Sequence, residues 1–135
     1  MVGSKFKNIN RIRPAAVHFE EYAYYTNALV GTREYYEYWD EEKNRCLYGY
    51  TADEGTEDAL YITGFHYFYL NYCPIDRAVD EVMPDGSIQS KRERTFPSFY
   101  DGDHDYFTQI DEARATNRHM VVLKARRKGY SYKAG

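Results

Sequence analysis

The sequence predicts a mixed fold of the α/β or α+β class, in which an aromatic-rich region leads into a buried strand and a basic loop. Three observations support this prediction. Segments with helical spacing alternate with short apolar runs and turn signals. The 135 residues include 16 Tyr and 7 Phe, so aromatic side chains must form much of the core. The final part follows the order helix, buried strand, loop and helix, which is typical of a parallel sheet.

Charge is distributed unevenly along the chain. The net charge is -3, but residues 118–135 carry six basic residues and no acidic one, whereas residues 1–117 carry 12 basic and 21 acidic residues. This asymmetry indicates an anion site at the basic end rather than a nucleic-acid interface over the whole surface. Cys46 and Cys73 lack the spacing of a zinc site or a disulfide scaffold, and no apolar stretch is long enough to span a membrane. We therefore expect two inert thiols and a soluble protein of a reducing compartment.

The first half of the chain is predicted to combine a helix with short strands. Residues 1–13 are polar and basic, which suggests a flexible arm ahead of the aromatic-rich N-terminal region at residues 14–95. Pro at the first helical position predicts a helix over residues 14–29. Residues 31–50 contain an aromatic cluster followed by charged turn residues, a pattern that predicts a strand, a turn and a second strand. Residues 51–58 form an acidic loop.

The second half of this region carries clearer signals. In residues 60–75, Gly64 separates a short predicted strand from a helical turn. A β-hairpin is predicted at residues 78–90, because the sequence Pro84-Asp85-Gly86 lies between two short runs with strand character.

Residues 96–135 are predicted to begin a further, incomplete domain. Asp101 or Asp103 caps a helix that extends to about Asn117. Together with His104 and Asp105, these carboxylates form a cluster that could also bind a metal ion, but its place at a helix start favours capping and interaction with the helix dipole. Residues 119–124 form a short apolar run with β-branched side chains, as expected for a strand that is buried on both faces of a parallel sheet.

The loop after this strand carries the chemistry. An ordinary phosphate-binding loop uses backbone N–H groups to cradle phosphates, a lysine to reach the β- and γ-phosphates, and a Ser or Thr hydroxyl to bind Mg²⁺. If Gly129 is the second glycine of that pattern, Ser131 takes the magnesium-ligand position. Tyr130 then replaces the usual lysine, and Lys124 replaces the first glycine, so the plain motif is absent.

The string Lys124-x-x-Arg127-x-Gly129-Tyr130-Ser131 resembles the deviant loop found in some large terminase subunits of tailed bacteriophages, which package viral DNA. Residues 64–71 and 96–101 are also similar to segments ahead of the ATPase core in some terminases. The resemblance covers residues 60–135 and implies the first strand, phosphate loop and helix of a RecA-like ATPase core. A solvated basic loop is the alternative interpretation of the same string.

The resemblance also implies roles for single residues, with ATP and Mg²⁺ as cofactors. In such loops the lysine approaches the phosphates from the start of the loop, which gives Lys124 that role, with Arg126 or Arg127 as a second cation. Ser131 would bind Mg²⁺. The implied nucleotide-binding loop comprises Lys124, Ala125, Arg126, Arg127, Lys128, Gly129, Tyr130 and Ser131.

A segment ahead of the loop usually stacks a proline or an aromatic ring on the adenine in this family. Pro97, Phe99 and Tyr100 are the candidates for that contact, and core packing is the alternative role for them. The glutamine that often reads the adenine edge is missing from the expected place, since Gln109 lies later, on the predicted helix.

The resemblance implies a motor in the cytoplasm of the host cell. Its partners would be double-stranded viral DNA, the terminase small subunit and the portal protein, and the full protein would add a nuclease domain. We expect the natural chain to continue past Gly135 and the 135 residues alone to be inactive, because the acid and the water-orienting residue of phosphoryl transfer are missing. The alternative is a small aromatic-rich module that binds nucleic acid or protein and has a basic C-terminal tail.

Overall fold

The computed structural model describes residue 6 and residues 8–121. In this part of the chain a short 3₁₀ helix precedes four α-helices and four β-strands. The strands form two separate antiparallel pairs, so the described part has an α+β arrangement. In chain order the elements are the 3₁₀ helix Ile9–Ile12, α1 Pro14–Tyr22, α2 Arg33–Tyr48, β1 Tyr50–Ala52, β2 Leu60–Ile62, α3 Gly64–Tyr72, β3 Ile75–Val82, β4 Ile88–Thr95 and α4 Asp101–Ala115.

Helix α3 lies at the centre of the packed core and contacts α1, α2 and α4. It begins where predicted, after the short strand β2, and the Thr63 hydroxyl accepts a hydrogen bond from the backbone N–H of His66 (3.3 Å). Tyr67, Leu70 and Asn71 of this helix are all fully buried. The predicted strand, break and helix in residues 60–75 are therefore confirmed.

Hydrogen bonds of the Asn71 side chain connect the 3₁₀ helix and the start of α1 to this core. The amide oxygen of Asn71 accepts a hydrogen bond from the backbone N–H of Ala16 (3.1 Å), and its amide nitrogen donates to the carbonyl oxygens of Tyr67 (3.0 Å) and Ile12 (3.4 Å). Ile12 is fully buried, and Arg11 forms an ion pair with Asp53 (2.8 Å). The prediction of a flexible arm over residues 1–13 is wrong for the 3₁₀ helix, because an apolar side chain there enters the core.

The predicted strand, turn and strand at residues 31–50 are wrong, because this segment is mostly the single helix α2. The Thr32 hydroxyl accepts a hydrogen bond from the backbone N–H of Tyr35 (3.3 Å) and caps the helix. Ion pairs four residues apart support its exposed side, between Arg33 and Glu37 (2.7 Å) and between Glu41 and Arg45 (2.6 Å). Of the aromatic residues that suggested strands, Tyr38 and Trp39 contact Tyr72 of α3, whereas Tyr36 is 60% exposed.

Helix α1 ends at Tyr22, seven residues earlier than predicted. Ala23 adopts a left-handed conformation (φ 62°) and stops the helix, and its backbone N–H bonds to the carbonyl oxygen of Phe19. The chain then turns back, and the ring of Tyr25 lies 4.8 Å from that of Tyr72. This ring contact, between two partly buried side chains, connects the segment after α1 to α3.

The predicted hairpin is confirmed and is longer than expected. Strands β3 and β4 pair from Ile75 opposite Thr95 to Val82 opposite Ile88. In the turn, the backbone N–H of Gly86 donates to the carbonyl oxygen of Met83 (2.9 Å), and Gly86 has a φ of +87° that favours glycine. Beyond their mutual pairing, the two strands make few contacts with other described elements.

Helix α4 confirms the predicted helix after residue 100, but its cap differs from the prediction. The helix begins at Asp101, so Tyr100 takes the cap position and its side chain makes no capping hydrogen bond. Asp101 and Asp103 instead lie in the first turn, where negative charge favours the helix dipole. No helix in the described part of the chain is long and apolar enough to cross a membrane.

Candidate functional site

The predicted phosphate loop lies outside the described residues, and so does the end of the predicted strand before it, residues 122–124. The loop comprises Lys124, Ala125, Arg126, Arg127, Lys128, Gly129, Tyr130 and Ser131. Of the predicted strand at residues 119–124, the structure describes His119 to Val121, which are not in a strand, and Val121 is 85% exposed. The predicted burial of Val121 is therefore not found. The structure does place the segments that precede the loop.

The three adenine-contact candidates occupy different environments. Pro97 and Phe99 are buried, and Phe99 belongs to the same core cluster as Ile12 and Ile62. Tyr100, at the start of α4, is 58% exposed. In the described part of the chain, only Tyr100 of the three candidates has a ring surface that a ligand could reach without rearrangement of the core.

His66 lies between two aromatic rings and connects this segment to α4. Its ring stacks on Phe99 (centroids 5.4 Å apart, 13° between planes) and on Phe107 (4.7 Å, 18°). His66 is fully buried. In the sequence, no residue lies at a spacing from His66 that is typical of a metal site. Its burial in an aromatic stack makes it part of the core that fixes residues 96–107.

A second polar site, which sequence reasoning missed, surrounds the carboxylate of Glu42 on α2. Glu42 is only 3% exposed. Tyr67 donates to both carboxylate oxygens (2.7 and 2.8 Å), and Tyr72 donates to one of them (2.6 Å). Arg45 contributes an ion pair at 3.0 Å, and Tyr38 a longer hydrogen bond at 3.4 Å. We call these five residues the Glu42 cluster.

The tyrosines of the Glu42 cluster are held in their neutral form. Burial raises the pKa of Tyr38 to about 12. Burial, with the neighbouring carboxylate, also raises the pKa values of Tyr67 and Tyr72 above the usual value for tyrosine. Burial acts to lower the pKa of Arg45, but the bond to Tyr67 and the charges of Glu42 and Glu41 raise it overall. Neutral phenols donate hydrogen bonds to the carboxylate and do not ionise near neutral pH. Through these hydrogen bonds the cluster connects α2 to α3.

The helical spacing of Tyr38, Glu42 and Arg45 was the available signal for this cluster. The three residues stand four and three positions apart, which places them on one side of a helix. The predicted turn in residues 31–50 hid that spacing, because a turn would have left Glu42 in solvent.

Three exposed aromatic residues, Tyr61 on β2 and Phe65 and Phe68 on α3, are named here the exposed aromatic row. Tyr61, Phe65 and Phe68 are each about half exposed, at 49%, 46% and 48%. The guanidinium of Arg114 lies over the ring of Phe65, 4.8 Å from its centroid, and the Tyr61 hydroxyl donates to the carbonyl oxygen of Tyr48 (3.1 Å). Accessible rings beside a cation can bind apolar or aromatic groups.

Comparisons with known proteins give no family for this chain. No protein-family model, no curated protein and no solved structure matches it. Within residue 6 and residues 8–121, no group of three or more His, Cys, Asp or Glu side chains is arranged to hold a metal ion.

Proposed function

We propose that this chain is the N-terminal part of a terminase large subunit, an ATPase that packages viral DNA, and that it binds ATP and Mg²⁺ at the loop 124–131. The observation that carries the proposal is the string Lys124-x-x-Arg127-x-Gly129-Tyr130-Ser131 after an apolar run. Its residue types supply a cation for the phosphates, a glycine for close backbone approach and a hydroxyl for the metal.

One feature of the described residues and the charge distribution of the sequence support this proposal. Helix α4 ends at Ala115, so a helix precedes the apolar run, although His119 to Val121 are not in a strand. Residues 8–121 carry 11 basic and 21 acidic residues, whereas residues 122–135 carry five basic residues and no acidic one. An acidic body repels phosphate, so the basic loop is the favoured place for a nucleotide.

In the proposed site, Lys124 faces the transferred phosphoryl group and Ser131 binds Mg²⁺. Arg126 or Arg127 supplies the second cation. Phosphoryl transfer also needs a carboxylate that holds the magnesium and a residue that orients water. Neither role is assigned to a residue between 1 and 135.

ATP hydrolysis by the natural full-length protein tests the proposal. Lys124→Ala should lower kcat by about 10²–10³-fold, because a cation on the transferred phosphate stabilises the transition state. Lys133→Ala removes a nearby cation outside the loop string and is the matched control, which should stay close to wild type. Unchanged ATPase activity in the Lys124 variant would remove this assignment.

The magnesium role of Ser131 has a separate test. Ser131→Ala should weaken magnesium-dependent nucleotide binding, whereas Ser131→Thr should retain most of it, because either hydroxyl can bind the metal. Equal effects of the two substitutions would instead assign Ser131 to helix capping.

The exposed aromatic row favours a second candidate function, a binding module with a basic C-terminal tail. Single-stranded nucleic acid binds such surfaces by stacking on rings beside cations. The test is salt-sensitive binding of single-stranded DNA by the 135-residue chain, with Phe65→Ala and Phe68→Ala as probes. Binding that these variants abolish, in a full-length protein without ATPase activity, would favour the module over the motor.

A further inference from the structure

The hairpin β3–β4 leaves both of its outer edges without a strand partner in the described part of the chain. Its eight-residue strands pair only with each other, and the β4 side chains are exposed from Ile88 to Arg94. Val82 and Ile88, opposite each other beside the turn, are each 72% exposed. An isolated two-stranded hairpin is marginally stable in water, and unpaired edges are templates for pairing with another chain.

The two strands carry opposite charge. Strand β3 has three acidic residues and one basic residue, and β4 has three basic residues and one acidic residue. Pairing of two β3 edges, or of two β4 edges, would bring like charges together, whereas a β3 edge and a β4 edge attract. The charged residues are Asp76, Arg77, Asp80 and Glu81 on β3 and Lys91, Arg92, Glu93 and Arg94 on β4.

The hydrogen-bonding pattern identifies the backbone groups that are free to pair. The N–H of Met83 donates to the carbonyl oxygen of Ser87 (2.8 Å), so the next pair along the ladder, Val82 with Ile88, is a non-hydrogen-bonded pair. Because the two kinds of pair alternate, the pair of Asp80 with Ser90 is also of this kind. The N–H and C=O groups of these alternate residues therefore point away from the hairpin, toward an added strand.

We propose that this hairpin joins copies of the chain, with β4 of one copy adding antiparallel to the free edge of β3 in the next copy. If the strands of two copies pair with the same register as the two strands of one hairpin, Asp76 of one copy lies opposite Arg94 of the other. Within one hairpin that pair forms an ion pair at 3.6 Å. The same register places Asp80 diagonal to Arg92 and Glu81 diagonal to Lys91, within reach of long side chains. The contact uses two different edges, so it is heterologous.

Two charge-reversed variants test the proposal by sedimentation velocity over a range of concentrations. The first carries Lys91→Glu and Arg92→Glu, and the second carries Asp80→Lys and Glu81→Lys. The wild-type chain should associate with rising concentration and less so at high salt. Each variant alone should stay monomeric, because both of its edges then carry one sign. An equimolar mixture should associate again, because each variant supplies the edge that the other lacks.

A control variant separates hairpin pairing from a general effect of charge. Glu54→Lys with Glu57→Lys makes the same charge change as the second variant, in the exposed loop between β1 and β2, and should associate like wild type. Far-ultraviolet circular dichroism checks that the charge-reversed variants retain their fold. If a charge-reversed variant loses its fold, Ser90→Pro becomes the deciding test of hairpin pairing. This substitution removes one outward N–H from β4, so it should reduce association.

Three results would overturn the proposal. The wild-type chain could remain monomeric at every concentration, or folded charge-reversed variants could associate as wild type does. Restoration could also fail in the mixture of folded variants. Binding of duplex DNA by a monomeric wild-type chain, lost with Lys91→Glu and Arg92→Glu, would assign the hairpin to nucleic acid instead. None of these results depends on ATP binding, so this proposal can fail independently of the proposed function.

Discussion

Helix α3 and the β3–β4 hairpin, adjacent in sequence, differ in almost every physical respect. The helix contacts three other helices and buries six of its nine residues. The hairpin pairs with itself, and its β4 side chains are exposed up to Arg94. From this difference we expect that the stability of the described part depends mainly on α3, and that the hairpin can change without unfolding the rest.

Residue type explains this division. Helix α3 has the sequence GFHYFYLNY, which combines large ring surfaces with a glycine that admits close approach. Strand β4 has the sequence IQSKRERT, in which the charged ends of four side chains favour contact with water. Substitutions in the two regions should therefore differ in how far their effects extend through the structure.

The largest effect is expected at the centre of the Glu42 cluster. Glu42→Ala removes the acceptor for Tyr67 and Tyr72 and leaves Arg45 without its buried partner. The free energy of unfolding should fall by about 3–5 kcal/mol, because the hydroxyls of Tyr67 and Tyr72 lose their buried acceptor, whereas Arg45 keeps its ion pair with Glu41. Urea denaturation measures this loss. Glu41→Ala, on the same helix but with a side chain 65% exposed, should cost about 0.5 kcal/mol or less. Equal losses in both variants would show that burial of Glu42 is unimportant.

Helices α2 and α3 approach each other closely at Gly64 and Cys46. A Cβ atom on Gly64 would lie 2.7 Å from the carbonyl carbon of Cys46, a backbone atom that cannot move alone. Gly64→Ala should destabilise the protein by about 3 kcal/mol through overpacking. Gly102→Ala is the matched control on α4, where an added Cβ meets no atom within 4 Å, and it should be neutral or stabilising. Thermal unfolding of both variants distinguishes packing from helix propensity.

Two tyrosines of the Glu42 cluster allow a finer comparison. Tyr72→Phe removes a 2.6 Å hydrogen bond to the carboxylate and should cost about 2 kcal/mol, as for bonds to charged groups. Tyr38→Phe removes a 3.4 Å bond and should cost less than about 1 kcal/mol. Urea denaturation gives both values. A larger loss for Tyr38→Phe than for Tyr72→Phe would contradict the geometry of the cluster.

The hairpin turn tests whether the two regions are independent. Gly86→Ala forces a side chain into a left-handed conformation at a cost of about 1 kcal/mol to the turn. Amide hydrogen exchange in β3 and β4 should accelerate, while the unfolding midpoint of the helices should stay at its wild-type value. A clear fall in that midpoint would show that the hairpin and α3 unfold together.

The smallest effect concerns pH and Asp85. The Ser87 hydroxyl and backbone N–H both donate to the Asp85 carboxylate (2.6 and 2.9 Å) and hold the pKa of Asp85 below its ordinary value. A lowered folded-state pKa stabilises the turn above the unfolded value of about 3.9, and this contribution is lost as the pH falls through the folded value. An NMR titration should show that Ser87→Ala raises the pKa of Asp85. No change would mean that the hydroxyl does not hold the charge.

The sequence predicted well those elements that short-range chemistry defines. The Pro84-Asp85-Gly86 turn, the break at Gly64 and the helix after residue 100 were confirmed, because each depends on a few neighbouring residues. The candidate loop at residues 124–131 also came from local pattern alone, and it stays a prediction. Helix α2 was missed, because its Tyr and Trp residues favour strands in isolation, whereas the contacts of Tyr38 and Trp39 with Tyr72 of α3 favour the helix.

The sequence by itself determined the two-part character of this protein, with an aromatic body and a charged hairpin, since side-chain type decides which segments can bury surface. Only the tertiary structure decided which polar and apolar groups occupy that body. Ile12 enters the core from a segment predicted to be a mobile arm. Phe99 stacks on His66, and the carboxylate of Glu42 accepts hydrogen bonds from two tyrosines of α3. These contacts join residues 25 or more positions apart, and local spacing contains no information about which distant surfaces meet.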